Sequence, residues 1–211
     1  MQRRSFRGEA GRPFGTVAAL FALILTVALL ILWDIARDLT GAADPFHAVP
    51  AQARAYWGVL LAAEIVKCVT GGAILLAIWT LAAPIGPRTP RSLAALAFGT
   101  VGTVLIGVAA HWYLEAAAWL GDGRVSPMGP LMATLSSAAL ACYGLWAGLT
   151  AIEARDARSL PEWVQGLGLL LAVACVAAAL APGLIFTAVS LSVLWWGSVF
   201  AALYRPEDRL A

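Results

Sequence analysis

The chain has 211 residues, of which 61% are hydrophobic and 12% charged, about half the roughly 25% charged share of soluble domains. That composition excludes a soluble globular domain. A net charge of +2, spread over short connecting segments, argues against nucleic acid as a partner. Apolar runs of about 20 residues suffice to cross a bilayer, and six of them use nearly the whole sequence. The expected fold class is all-α: a polytopic transmembrane helical bundle of six spans, forming one domain over 14–204, with a basic tail at 1–13 and a short tail at 205–211.

The first tail carries Arg3, Arg4, Arg7 and Arg12 against Glu9. Arg3-Arg4-Ser5-Phe6 partly matches a twin-arginine export signal, but the apolar run that follows exceeds the roughly 7–15 residues of a cleaved signal's core. The expectation is an uncleaved first span over about 14–37. A loop with Asp44-Pro45-Phe46-His47 and Val49-Pro50 then breaks any helix. Span 2, about 56–82, contains Glu64 and Lys67 and leaves through a Pro-rich turn with Arg88 and Arg91. Span 3, about 93–120, carries His111-Trp112-Tyr113-Leu114-Glu115 near its far end and is longer than a bilayer requires. Span 4, about 131–152, ends in the charged stretch Glu153 to Arg158. Span 5, about 161–181, starts with Pro161 as a first helical residue and Trp163 as an interface anchor. Pro182-Gly183 turns the chain into span 6, about 183–204.

Of the 14 Lys and Arg residues, ten fall in segments on the side of the two tails, three (Arg37, Arg54, Arg124) on the other, and Lys67 lies within a span. By the positive-inside rule both termini are expected in the cytoplasm. Cys68, Cys142 and Cys175 fall inside spans, which points to small core residues rather than disulfides. Small residues, including Gly71-Gly72, Gly99-x-x-Gly102 and Gly144-x-x-x-Gly148, predict close helix approach.

Lys67 lies roughly 16 Å along its helix from Tyr56 and roughly 21 Å from Leu81, too deep to reach either surface. Glu64, one turn away on the same face, is its natural partner. By helical rise, His111 comes level with Glu64, and Asp34 sits toward the same side. His111 and Glu115 share a face. Asp34, Glu64, Lys67, His111 and Glu115 therefore form a candidate polar pocket open to the outer side, suited to proton or ligand handling. The alternatives are an interhelical clamp for Glu64–Lys67 and a headgroup-level position for His111 and Glu115. No catalytic or metal site emerges. The only histidines are His111 and His47, a poor basis for a bis-His haem, so no cofactor is expected, with single-His ligation of a pigment or metal by His111 left open.

Leu160-Pro161-Glu162-Trp163, Gly166, Gly168, Pro182 and Leu194-Trp195-Trp196-Gly197 through Tyr204-Arg205 resemble the closing hairpin of an uncharacterised bacterial family of multi-span inner-membrane proteins, a domain of unknown function. The resemblance implies a six-span, multi-pass protein of the bacterial cytoplasmic (inner) membrane and lends no catalytic residue. The expected function is a non-enzymatic integral membrane protein, an accessory or assembly subunit of a larger membrane complex. Its partners would be lipid and other membrane subunits, contacted through Trp-rich span ends. The alternatives are a small proton-coupled carrier using the polar pocket, and a lipid- or isoprenoid-modifying enzyme.

Overall fold

A computed structural model describes residues 12–40, 57–85, 89–121 and 129–204. Residues 1–11 of the arginine-rich tail, the loop with His47, the turn with Arg88, the segment with Arg124 and the tail with Arg205 and Arg209 lie outside the described residues, while Arg12 and Pro13, expected in the tail, open the first helix. Six helices account for nearly everything described: α1 (Arg12–Thr40), α2 (Trp57–Ile85), α3 (Pro90–Gly121), α4 (Gly129–Asp156), α5 (Glu162–Leu180) and α6 (Ile185–Tyr204). A single 3-10 turn, Pro182–Leu184, joins the last two. All six are long and apolar enough to cross a membrane. Their outer faces carry Ile65, Val69, Leu76 and Trp79 on α2 and Leu169, Leu170, Val173 and Leu180 on α5. This is a multi-pass membrane protein, because such a surface is stable only where hydrocarbon, not water, covers it.

Each helix packs against its neighbours in sequence, and α1 packs against α6, so the six close a ring in chain order. Successive helices run antiparallel. Thr70 of α2 faces Leu25 of α1, while Gly15, nearer the start of α1, faces Leu81, nearer the end of α2. Small residues set the spacing, as expected where packing rather than hydrophobic exclusion joins helices. A Cβ on Gly144 would stand 2.8 Å from Cys175 Cβ and 2.9 Å from the Ala172 carbonyl oxygen. One on Gly99 would meet Trp146 at 2.8 Å.

We call the end where α1 begins and α6 finishes the terminal end. In that half the ring's interior is filled by aromatic side chains. Trp146 stacks on Trp196 at 5.7 Å and meets Trp195 edge-on at 5.1 Å, and Tyr143 lies 5.3 Å from Trp146. Trp195 and Trp196 are buried core residues. The expectation that the Trp-rich ends of the spans face partners and lipid is therefore corrected for Trp146, Trp195 and Trp196. It holds as exposure for Trp79, Trp119 and Trp163.

The helix boundaries at the terminal end also differ from expectation. α3 starts at Pro90, three residues early, because Thr89 Oγ1 accepts the Ser92 N–H at 3.0 Å and caps it, with proline suited to the first helical position. Pro161 is the cap of α5 rather than its first residue. α4 continues through Glu153 to Asp156. There Thr89 donates to Glu153 at 2.8 Å and Arg91 pairs with Asp156 at 2.6 Å, fastening α3 to α4. α4 closes with Ser159 N–H bonded to the Ala154 carbonyl and Arg158 N–H to that of Arg155, a Schellman arrangement. Its left-handed position is held by Arg158 at φ 50°. Arg158→Gly is expected to stabilise the fold by about 1 kcal/mol, the usual cost of a side chain in that conformation, read as a higher midpoint in reversible unfolding from mixed micelles.

Candidate functional site

The site starts from α2. Its neighbours of α1 and α3 cover the stripe that contains Leu60, Ala63, Glu64, Thr70, Ile74, Ala77 and Ile78, all buried. Glu64 is fully enclosed, and Lys67 Nζ lies 2.5 Å from its Oε1. The i, i+3 spacing stacks the two side chains along one face, so the helix carries its own neutralising pair. The ammonium also sits over the Tyr113 ring, 4.8 Å from its centroid. A desolvated contact of this kind contributes about 2 kcal/mol, and it ties α2 to α3.

Lys67 forms part of the wall of a cavity of about 170 Å³ at the centre of the ring, on the far side of the aromatic cluster from the terminal end. Every helix contributes to it: Trp33 from α1, Ile74 from α2, Ile106 and Tyr113 from α3, Ser137 and Leu140 from α4, Cys175 from α5, and Val189 and Ser192 from α6. The lining is mainly hydrocarbon. Of the polar residues in the wall, Thr26 and Thr70 spend their hydroxyl hydrogens on carbonyls one turn back, Ala22 at 2.6 Å and Val66 at 2.7 Å, which keeps threonine compatible with an apolar interior.

The cavity ends on a hydrogen-bonded floor. Trp196 Nε1 donates to Tyr143 Oη at 3.0 Å, and Tyr143 Oη lies 2.8 Å from Ser192 Oγ. Beneath it the stacked tryptophans close the ring. Beyond Trp146 a void of about 30 Å³ touches Ile78, Thr150 and Glu153. Glu153, expected in the charged stretch after span 4, is buried there, bonded to Thr89 and 3.8 Å from Arg91. Its spacing of seven from Trp146 places it on the same inward stripe, and that periodicity was the available sign.

Of the five residues expected to share one pocket, the structure joins two. Glu64 and Lys67 pair, and only Lys67 reaches the main cavity. Asp34 bonds Arg37 at 2.7 Å with both side chains half exposed, and Arg37 lies over the Phe186 ring; Trp33, one position earlier, takes the inward place. His111 and Glu115 approach each other at 3.6 Å, with side chains 67% and 49% exposed. They fall on the outward stripe with Val104 and Val108. Pigment or metal ligation by His111 alone would therefore occur on the bundle's outside. Among the described residues, no three His, Cys, Asp or Glu side chains gather as a metal-holding group. Tyr113, Tyr143 and Ser192 are the site residues that sequence reasoning missed.

No protein-family profile matches the chain, and no curated protein or solved structure is significantly similar to it.

Proposed function

We propose that the protein is a non-enzymatic membrane binding protein that takes a small lipophilic molecule into the cavity between its six helices and holds it against Lys67. The observation that carries this reading is the cavity itself, built by all six helices, with one ammonium, paired to Glu64, in a mainly apolar wall. Pockets for small molecules have this composition, a hydrocarbon lining with few polar groups that orient the occupant. Intramembrane ionisable groups that face a cavity mark such sites. The setting we propose is the bacterial inner membrane, as the resemblance of the closing hairpin implies, with both termini in the cytoplasm on the strength of the charge asymmetry. In that setting the cavity opens away from the cytoplasm. Service as an accessory subunit of a larger complex fits the same reading, since a binding protein can hand its occupant to a partner.

A carrier is the second reading. The void beside Trp146 and Glu153 lies beyond the aromatic cluster, so movement of that cluster would extend the cavity toward the terminal end.

Purification in native lipid nanodiscs followed by untargeted mass spectrometry tests the binding reading. A molecule enriched with the wild-type chain and lost from Ala133→Phe, which fills the cavity from α4, is the expected result. An identical small-molecule complement with the cavity filled and the fold intact would refute it.

A further inference from the structure

The void beyond Trp146 borders three polar groups that the protein leaves unspent. It lies between three helices, with Ile78 of α2, Ala95 and Ser92 of α3, and Trp146, Thr150 and Glu153 of α4 in its wall. The last three, spaced i, i+4 and i+7, form one stripe of α4.

The other buried threonines of the bundle donate to a carbonyl one turn back: Thr26 to Ala22, Thr70 to Val66 and Thr103 to Gly99. Thr150 departs from that pattern. It is 6% exposed, and its hydroxyl has no partner among the described residues. A buried hydroxyl ordinarily finds a hydrogen bond, from protein or from ordered water, because burial without one is unfavourable. Glu153, 5% exposed, is half used: Oε1 accepts from Thr89 at 2.8 Å, while Oε2 has no hydrogen bond among the described residues.

The indole N–H of Trp146 is likewise uncommitted among the described residues, unlike that of Trp196. Its edge is turned toward α3, since a Cβ on Gly99 would stand 2.8 Å from Cδ1, the carbon bonded to Nε1. Gly99 is one turn from Ala95, so this edge is on the side of the void. Packing seals none of the three groups.

Size and chemistry then select the ligand. The volume of about 30 Å³ exceeds the roughly 10–15 Å³ that a water needs by such a measure and leaves room for one or two. A cation such as magnesium or calcium takes about six oxygens. The described wall offers Glu153 Oε2, Thr150 and Ser92, whose hydrogen goes to the Thr89 carbonyl at 2.9 Å, and the indole N–H would repel a cation. An anion would meet the Glu153 carboxylate. Water accepts from the indole and the Thr150 hydroxyl and donates to Oε2, three partners within the usual two to four.

We infer that this void is a water-binding site, in which one or two molecules bridge the Trp146 indole and the Thr150 hydroxyl to the Glu153 carboxylate. The bridge joins the foot of the aromatic cluster to the polar contacts that fasten α3 to α4. It is independent of what occupies the main cavity.

Nuclear magnetic resonance of the full chain in lipid nanodiscs, with isotope-labelled indole groups, tests the inference. The Trp146 resonance, identified by its loss in Trp146→Phe, should show a direct cross-relaxation peak with long-lived water. Ala95→Leu, which fills the void from α3, should abolish that peak. Thr150→Val, which keeps the shape and removes the hydroxyl, should weaken it several-fold, and it carries the test alone should Ala95→Leu fail to fold. An unmoved Trp196 resonance, still bonded to Tyr143, reports an intact core in both variants. A folded wild-type chain without the Trp146 water peak would overturn the inference, as would a peak at full strength in either folded variant. A saturable shift of the Trp146 resonance when sodium replaces choline in the buffer would overturn it too, by placing a cation in the void.

Discussion

Lys67→Ala is expected to destabilise the bundle by about 3–5 kcal/mol, the cost of leaving one member of a buried ion pair without the other. Glu64 has no route to water: its side chain is 1% exposed, and Lys67 Nζ lies 2.5 Å from its Oε1. Deleting the ammonium therefore removes the counter-charge that α2 itself supplies to an enclosed carboxylate. The Tyr113 ring also loses the cation above it, which loosens α2 from α3. Lys67→Met with Glu64→Leu should recover most of the loss, because replacing both charges with hydrocarbon of similar volume removes the desolvation penalty with the attraction. Unfolding free energies from mixed micelles check this, and a double variant no more stable than Lys67→Ala would contradict it.

Gly144→Leu is the second large effect. The contacts a Cβ would make there include backbone, the Ala172 carbonyl at 2.9 Å, so α5 as a whole must move and rotamer changes cannot relieve the clash. The expected cost is at the upper end of the about 1–3 kcal/mol typical of overpacking. Gly72→Ala, with nothing within 4 Å of its Cβ, should instead stabilise by up to about 1 kcal/mol through helix propensity. The opposite signs in one unfolding assay separate helix contact from composition. Equal effects would mean that α4 and α5 do not meet at Gly144.

What the sequence made legible follows from the physics of each signal. Apolar length is local and continuous, so six helices and their approximate limits could be read directly. The Glu64–Lys67 pair was legible too, because both partners lie on one helix at a spacing fixed by its geometry. The five-residue pocket failed because level along the axis was used without phase around it. On α3, Ala109 and Tyr113 face inward, whereas His111, two residues from Tyr113, is turned about 200° away. The alternation of small residues and Val104–Val108 already carried that phase. On α1 a single residue, about 100° of turn, separates inward Trp33 from Asp34.

The floor of the cavity was a different matter. Tyr143, Ser192 and Trp196 come from helices four and six, and only the closure of α1 on α6 gives the ring an interior for them to share. No local pattern encodes that closure. The burial of Trp195 and Trp196 likewise escaped a reading that assigned tryptophans to span ends, because aromatic side chains suit a packed core as well as an interface. The cap at Thr89 is hard to read from sequence because a proline such as Pro90 suits a turn as well as the first position of a helix.

The central claim, an accessible cavity enclosed by six helices, is tested most directly by thiol chemistry at Ser137 in its wall. In a chain with Cys68, Cys142 and Cys175 replaced by alanine, Ser137→Cys should react with a small neutral methanethiolsulfonate. The reaction should slow sharply when Ala133→Phe is added, since a thiol reacts only where reagent can reach it. Ala157→Cys, exposed just past the end of α4, should react at the same rate in both backgrounds. A folded Ser137→Cys protein that stays unlabelled, or that labels equally with and without the added phenylalanine, would contradict the account.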